Sequence, residues 1–177
     1  MQVLSNKKIH FRALEPEDID FLFAVENDES YWEVSSTQVP FSRFILEQYI
    51  ANAHQDIHEV KQLRLIIVEN ETKKNIGFID LFDFNPQHKR AGVGILVIES
   101  EQNKGYASEA LQLLINYSFD QLNLHQLFAN ITSDNGKSLA LFRKYNFKEV
   151  GTKKEWIFSN GKFKDEILLQ LINNKDN

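Results

Sequence analysis

One segment of the sequence combines the residue types and the spacing that bind phosphate groups. An apolar run ends at Ile95, Leu96 and Val97, a polar loop follows, and Gly105 precedes a helix predicted to reach about residue 120. The first backbone amides of a helix have no intrahelical acceptor, and the helix dipole favours an anion beside them. Glycine at position 105 gives a phosphate close access to this backbone, and Lys104 adds a positive charge. The segment therefore predicts a binding loop for a phosphorylated ligand.

Other interpretations of the loop stay open or fit less well. Gly105 alone also fits a flexible residue ahead of a helix, because short glycine motifs have many false positives. The pair Gly92 and Gly94 lacks the third glycine of a dinucleotide fingerprint, since Val97 stands at that position. The chain contains no G-x-x-x-x-G-K-[ST] string, which argues against a P-loop kinase or ATPase.

The periodicity of apolar residues places this loop in a chain of strands and helices. The predicted strands cover about 9–13, 63–68, 76–84, 91–98, 127–132, 147–158 and 163–171, and the predicted helices cover about 16–26, 41–55, 105–120 and 135–145. The last two strands form a hairpin, because Asn160-Gly161 is a strong turn signal. Segment 27–40 is predicted to be irregular. The pattern predicts one α/β domain over residues 1–177, with its core at about 8–172.

Composition narrows the functional classes. The chain has 177 residues, no cysteine and a formal net charge of −5. The absence of cysteine excludes disulfides and a cysteine nucleophile, and the acidic balance argues against a nucleic-acid partner. His54 and His58 have the spacing of two ligands on one helix, but no third ligand or HExxH string accompanies them, so no metal site is predicted. No apolar run approaches the roughly 20 residues of a membrane span and the N-terminus lacks an apolar signal segment, so we expect a cytoplasmic protein without a membrane partner.

Two blocks of sequence carry a resemblance to a known superfamily. Gln102-x-x-Gly105-x-Ala107 matches the [Q/R]-x-x-G-x-[G/A] signature of the GNAT acetyltransferases. Residues 135–147 (NGKSLALFRKYNF) are similar to the N-x-x-S-x-x-L-Y-x-K-x-G-F block that follows it. The likeness covers nearly the whole chain. Within the superfamily the chain resembles two branches, which acetylate the N-termini of ribosomal proteins and spermidine or related polyamines.

The resemblance implies a fold and a co-substrate. The fold would be a mixed, mostly antiparallel sheet flanked by about four helices, in which the strand before the loop splays from its neighbour. The co-substrate would be acetyl-CoA, whose pantetheine arm would pair with the backbones of Ile95, Leu96 and Val97, while the Val97 amide would stabilise the oxyanion. The residues that would surround its pyrophosphate are Gln102, Asn103, Lys104, Gly105, Tyr106, Ala107 and Ser108.

By the same resemblance, Asn135 and Ser138 would contact the pantetheine arm near the thioester. Each also has a simpler explanation, since Asn is a common helix cap and Ser138 fits an exposed residue of a first turn. Three positions depart from the family pattern: Phe142 stands where a Tyr usually protonates the departing thiolate, Gly92 where both branches usually have a Glu, and Asn146 where the block has a Gly. We hypothesise that Ser138, or a water that it holds, protonates the thiolate.

The acceptor is predicted to be a primary amine, either a protein N-terminal α-amine or a polyamine. The loss of a Glu at position 92 favours an α-amine, whose pKa of about 7.7–8.0 makes it easier to deprotonate than an amine with a pKa of about 10.4. Asp80 and Asp83 favour a polyamine, because the spermidine branch carries glutamates at these positions that would bind a cation or relay a proton. Residues three apart face opposite sides of a regular strand, so one of the two would line the cleft unless a bulge intervenes.

Two further functional classes stay open at this stage. Phe142 and Gly92 are compatible with a non-catalytic regulatory protein that binds acyl-CoA, and nothing in the sequence excludes an enzyme that acetylates an aminoglycoside-type antibiotic. The splayed strand and the terminal hairpin suggest a homodimer or a higher homo-oligomer.

Overall fold

The computed structural model describes residues 4–174, whose strands form a single seven-stranded sheet. The strands are β1 (Ile9–Arg12), β2 (Leu63–Glu69), β3 (Asn75–Asn85), β4 (Arg90–Val97), β5 (Gln126–Thr132), β6 (Lys148–Ser159) and β7 (Lys162–Ile172). Their order across the sheet is β1-β2-β3-β4-β5-β7-β6. All neighbours are antiparallel except β4 and β5, which are parallel. The prediction of a mixed, mostly antiparallel α/β sheet is therefore confirmed.

Six α-helices accompany the sheet in the described residues, where about four were predicted. They are α1 (Ile19–Glu26), α2 (Trp32–Ser35), α3 (Arg43–Asn52), α4 (Ile57–Val60), α5 (Tyr106–Asp120) and α6 (Gly136–Lys144). The two additional helices are α2 and α4, which are single turns that end at the left-handed residues Ser36 and Lys61. One turn is too short to repeat an apolar pattern. The prediction that segment 27–40 is irregular is therefore wrong for residues 29–35 and correct for the rest of the segment.

The helices cover the two faces of the sheet with separate apolar cores. On one face, Leu22 of α1 and Ile50 of α3 pack around Ile66 and Phe78. On the other face, the buried stripe of α5, with Leu111 and Leu114 at its centre, packs on alternate residues of the strands. Because successive strand residues point to opposite faces, the apolar runs of β2 and β3 serve both cores.

The sheet opens between β4 and β5. Only Arg90, Ala91 and Gly92 pair with β5, opposite residues 126–128, whereas β4 continues to Val97 in register with β3. The splay predicted for this strand is therefore present. It leaves a wedge-shaped gap in the middle of the sheet, with β4 on one side and β5 on the other.

Candidate active site

The backbone of β4 directs hydrogen-bonding groups into the gap. The N–H of Ile98 donates to the carbonyl of Ile76 on the β3 side at 2.9 Å. In an antiparallel pair the residues alternate between facing the partner and facing away from it, so Leu96 faces β3 while Ile95 and Val97 face the gap. A ligand that enters the gap thus meets the backbone N–H groups of Ile95 and Val97, two of the three residues that the sequence analysis singled out. The backbone of Leu96 faces β3, so the prediction that it also pairs with the pantetheine arm is wrong.

The predicted phosphate loop follows directly after this strand. Gly105 adopts φ 86°, a left-handed conformation that favours glycine, and a Cβ at this position would have no atom within 4 Å. Within residues 4–174, the amides of residues 103–108 donate to no protein acceptor. The loop is tied to the strand by the side chain of Gln102, which donates to the Val97 carbonyl at 3.0 Å. The geometry provides a cluster of free amides at the start of α5.

The charges of the loop are arranged around one carboxylate. Glu101 accepts from Lys104 at 2.8 Å and from Lys74 at 2.7 Å. These hydrogen bonds, that of Lys104 first, lower the pKa of Glu101, and the bond to Glu101 raises the pKa of Lys104. Lys137 on α6 forms no ion pair with any residue of the described range 4–174. Lys137 is therefore a more available cation for an anionic ligand than Lys104, which the sequence analysis had proposed.

A cavity of about 350 Å³, here named the loop chamber, lies over these amides. It is lined by the end of β4, the loop and the first turns of α5 and α6, and also by Tyr31 and Val34. Tyr31 is held there because its hydroxyl accepts from the Glu99 amide at 2.8 Å. The predicted cofactor residues that line it are Ile95, Leu96, Val97, Gln102, Asn103, Gly105, Tyr106, Ala107, Ser108, Asn135 and Ser138. Lys104 does not line it.

A second cavity of about 410 Å³, here named the acidic chamber, lies on the same side of β4. Its walls come from α1, α2 and strands β2 to β7, and the carboxylates that line it are Glu26, Glu33, Asp80 and Glu166. Apolar side chains, among them Phe78 and Phe82, cover the part of the wall formed by β3. The chamber thus combines an apolar wall with a set of acidic groups.

The two chambers meet at the start of α6. The residues that line both are Val34, Ile95, Leu96, Asn135, Ser138 and Phe142. The Asn135 side chain accepts from the Ser138 amide at 3.1 Å, so Asn135 does cap α6, and this bond fixes the turn that presents Ser138. A group bound in one chamber can therefore react with a group bound in the other beside Ser138 and Phe142.

Arg64 organises the β2 side of the acidic chamber. Its guanidinium donates to Asp80 at 2.7 Å and also to Glu26, and it lies against the rings of Tyr49 and Phe78. Burial opposes the charge of Arg64, but the attraction of Asp80 outweighs it and raises the pKa of Arg64 above its ordinary value. Burial also raises the pKa of Tyr49. One cation is here shared by two carboxylates that line the chamber.

A similar arrangement occurs on the hairpin side. Lys164 donates to Glu33 at 2.8 and 2.9 Å and forms an ion pair with Asp134 at 2.8 Å. The hydrogen bond from Lys164, followed by that from Ser159, lowers the pKa of Glu33. Lys153 pairs with Glu166 at 2.8 Å. The chamber therefore has more carboxylates around it than cations.

Only one of the two candidate aspartates lies in the site, as expected for residues three apart on a strand. Asp80 lines the acidic chamber, whereas Asp83 is exposed and does not line it. The register between β3 and β4 shifts between Phe82 and Asn85, and Asp83 has φ 48°. This bulge does not turn Asp83 into the cleft, so we drop it from the site.

Several residues of the site were missed in the sequence. Arg64, Glu33 and Glu166 lie on separate elements, and they surround one chamber only because of the strand register and the position of α2. Arg64 did give a signal, since it is the one charged residue in the otherwise apolar run Leu63–Val68. A charge in such a strand requires a partner, and Asp80 stands directly opposite it.

The comparison with protein families decides the class. Residues 8–148 match the family described as Acetyltransferase (GNAT) domain. The chain belongs to the GNAT acetyltransferase family. It is an N-acetyltransferase that uses acetyl-CoA, and the free amides of the loop and the open backbone of β4 fit that co-substrate.

Two spermidine N(1)-acetyltransferases match over nearly the whole chain. The GNAT enzyme is 30% identical over 173 residues to the spermidine N(1)-acetyltransferase of Vibrio cholerae, covering 96% of both chains. It is 29% identical over 166 residues to the corresponding protein of Escherichia coli K12, covering 92% of this chain and 85% of the relative. A crystal structure of the Vibrio cholerae spermidine N-acetyltransferase with CoA and spermine superposes with a TM-score of 0.87 at 26% identity, covering 96% of this chain and 98% of the other.

These matches bear on the alternatives left open by the sequence. They favour the spermidine branch among the two that the GNAT enzyme resembles. They favour neither a non-catalytic regulator nor an antibiotic-acetylating enzyme. Within residues 4–174, no helix is long and apolar enough to cross a membrane, and no three His, Asp or Glu side chains come together as potential metal ligands.

Proposed function

We propose that this GNAT enzyme transfers the acetyl group of acetyl-CoA to a primary amine of spermidine or a related polyamine. The observation that carries the proposal is the charge of the acidic chamber. Arg64 and Lys164 each form ion pairs with two carboxylates, and Lys153 forms an ion pair with one. The cluster therefore keeps a negative excess in a partly buried site, which favours an acceptor with several positive charges. The two spermidine-acetylating relatives support the same choice.

The roles of the residues follow from their positions around the junction of the chambers. The loop amides and Lys137 bind the anionic part of acetyl-CoA, and the amides of Ile95 and Val97 face its pantetheine arm. Asp80 and Glu26 attract the cationic acceptor from the other side. The amine nitrogen bonds to the acetyl carbon, the C–S bond breaks, and the thiolate leaves beside Ser138.

Ser138 lines both chambers together with Phe142. We assign Ser138, or a water that it holds, to protonation of the thiolate. Ser138→Ala is expected to lower kcat by about 10- to 100-fold, at the lower end of what general acid help contributes. The KM for acetyl-CoA is expected to change little, because the loop amides are untouched. Ser108→Ala, which changes a lining residue remote from the junction, is the control and should act on that KM instead. An unchanged kcat in Ser138→Ala would remove this role.

The acceptor is tested by direct product analysis. The purified protein is incubated with acetyl-CoA and, in separate reactions, spermidine, spermine, an aminoglycoside or a short peptide with a free α-amine. CoA release is followed as free thiol and each product is weighed by mass spectrometry. We expect monoacetylated spermidine or spermine as the fastest product. Acetylated peptide or aminoglycoside as the main product would refute the proposal.

Matched carboxylate variants test the charge argument. Glu26→Gln and Glu166→Gln each remove one negative charge from the chamber wall, and each is expected to raise the KM for spermidine by about 10-fold. Glu149→Gln is the control, because Glu149 pairs with Arg143 on the exposed surface and lines neither chamber. Equal KM values in all three variants would contradict a role of the acidic chamber in binding the acceptor.

We also propose that the enzyme forms a homo-oligomer. A spermidine N-acetyltransferase of Vibrio cholerae with a dodecameric structure aligns with a TM-score of 0.81 at 29% identity, over 97% of each chain. Several large apolar side chains of this chain are exposed on its terminal hairpin, namely Trp156, Phe158 and Phe163. Light scattering on a size-exclusion column measures the mass in solution, and a monomeric mass would refute the proposal.

A further inference from the structure

The ring of Phe82 fills the space beside Gly92. These two residues face each other across β3 and β4. A Cβ added at Gly92 would lie 2.3 to 2.8 Å from three atoms of the Phe82 ring, far inside van der Waals contact. Phe82 also lines the acidic chamber, whereas Gly92 does not. The position at which a side chain of residue 92 would enter the chamber is therefore taken by an aromatic ring.

The neighbouring glycine of the same strand face behaves differently. Gly94 stands opposite Asp80, and a Cβ added there would lie 3.6 and 3.7 Å from Asp80 atoms, which is ordinary contact. Two glycines on one face of β4 thus have unlike surroundings. The tight packing at Gly92 is specific to Phe82 and is not a property of the strand.

A second ring holds Phe82 in place. Phe128 on β5 pairs with Gly92 and meets Phe82 edge to face, with the ring centroids 5.6 Å apart. This contact lies at the last backbone pair before β4 and β5 separate. The Phe82 ring is therefore a fixed apolar surface at the edge of the gap, two residue pairs along the strands from Asp80.

We propose that Phe82 replaces a side chain at position 92 and that the acceptor amine is activated by losing water against this ring. The inference rests on the proposed function and adds a specificity-determining residue to it. The carboxylates of the chamber raise the pKa of a bound ammonium, whereas loss of water against the ring lowers it. At the nitrogen that lies on the ring the second effect dominates, so its proton passes to solvent before the nitrogen attacks. The methylene chain next to the amine also packs on the ring, so the acceptor class is an alkyl amine.

Charged groups from every wall act on the same amine. They are Glu26 from α1, Glu33 from α2, Arg64 from β2, Asp80 from β3, Asp134 before α6, Lys153 from β6, and Lys164 and Glu166 from β7. Each of these groups is held in an ion pair that a change at Phe82 leaves in place. A change of Phe82 therefore alters the desolvation of the amine while the surrounding charges stay constant.

The pH dependence of kcat with saturating spermidine tests the activation, because kcat reports ionisations in the bound complex. In the wild type we expect kcat to rise with pH to a plateau, with an apparent pKa below the roughly 10.4 of a free alkyl amine. Phe82→Ala is expected to move this apparent pKa upward and to lower kcat at pH 7 by about 10-fold, with the two enzymes converging at high pH. Phe82→Leu keeps a smaller apolar wall and should move the apparent pKa upward by less than Phe82→Ala does. An unchanged profile in Phe82→Ala would overturn the inference.

A compensated exchange gives a second activity test. In the double variant with Phe82→Ala and Gly92→Glu, the carboxylate has room and can act as a base. The kcat of the double variant at pH 7 is expected to be at least about 10-fold above the kcat of Phe82→Ala alone, which is within the range of general base catalysis. No gain over Phe82→Ala, in a double variant that melts like it, would overturn the idea that the ring stands in for residue 92.

The packing is tested by melting temperature, which needs no substrate. Gly92→Ala is expected to lower Tm by about 5 °C, because it forces a Cβ into the ring, whereas Gly94→Ala should leave Tm nearly unchanged. Combining Gly92→Ala with Phe82→Ala should abolish the additional loss. Equal melting of the two glycine variants would overturn the packing argument.

If the wild type acetylates no amine, the proposed function and the activation step fall together. If it acetylates spermidine but Phe82→Ala keeps its pH profile, only the inference falls.

Discussion

Phe142 presents only ring carbons to the junction of the two chambers. It is 5% exposed and packs edge to face on Phe147, with centroids 4.9 Å apart. Phe142→Tyr is expected to raise kcat by about 10-fold or more, because a phenol at this position would protonate the departing thiolate. Phe147→Tyr is the control, since Phe147 lines neither chamber and should give no gain. The measurement is kcat with saturating acetyl-CoA and amine, and a rate that stays at the wild-type level would argue that Ser138 already supplies the proton in full.

At the scale of single residues, the sequence predicted those whose neighbours are close in the chain better than those whose partners are far away in it. Gln102, Gly105 and Asn135 line the loop chamber, and the sequence could single them out because their local structure depends on neighbours within a few residues. Their part in binding acetyl-CoA stays a prediction. Arg64 was not found because its partners Glu26 and Asp80 are 38 and 16 positions away in the sequence. The strand period predicted that one of Asp80 and Asp83 lines the cleft, but it could not tell which, because that depends on the face that the sheet turns to the chamber.

The start of α5 is the element on which binding of the co-substrate depends. Gly105→Ala is expected to destabilise the fold by about 1–2 kcal/mol, because φ 86° is unfavourable for a residue with a Cβ. It is also expected to weaken acetyl-CoA binding, measured as Kd by calorimetry, because a change of backbone conformation at residue 105 would displace the free amides of residues 103–108.

Gly161 provides a matched control for this change. It has φ 76° and open space around it, but it lies at the tip of the β6–β7 hairpin. Gly161→Ala should cost similar stability and leave the Kd for acetyl-CoA unchanged. A loss of affinity in both variants would mean that the effect of Gly105→Ala is general destabilisation.

The long elements were predicted to within a few residues, whereas the single-turn helices were not. α5 shows its apolar stripe over 15 residues, so its spacing is unambiguous. α2 and α4 have four residues each and depend on turn geometry rather than on an apolar face. α2 nevertheless supplies Glu33 and Val34 to the chambers, so part of the site lies in an element that periodicity does not detect.

At the scale of the whole molecule, Asp18 links the turn that precedes α1 to the sheet. It is 4% exposed and accepts from Arg12 of β1 with two bonds of 2.7 Å, from Asn75 of β3 and from the Glu15 amide. Burial alone would raise the pKa of Asp18, but these hydrogen bonds, that of Arg12 foremost, outweigh it and lower the pKa.

The sign of the resulting pH dependence follows from linkage. Because the folded pKa lies below the unfolded value, Asp18 stabilises the fold above the unfolded pKa of about 3.9, and this contribution is lost as the pH falls through the folded value. Asp18→Asn is expected to cost about 2 kcal/mol at pH 7 and less below about pH 4, measured by urea unfolding. Asp20→Asn, in an exposed pair with Arg43, should have almost no effect at either pH. A cost of Asp18→Asn that is independent of pH would contradict the argument.

The three backbone pairs between β4 and β5 make the sheet two blocks with a narrow junction. Acetyl-CoA, once bound between them, acts as a crosslink, and single-residue hydrogen exchange measured by NMR should record it as an alternating pattern along β4. The amides of Ile95 and Val97 should exchange at least about 10-fold more slowly after the co-substrate is added, because they gain a partner in the gap. The amides of Leu96 and Ile98 should be slow with or without it, since they face β3 already. The two halves of the sheet are thus expected to be joined along the whole of β4 only while acetyl-CoA is bound.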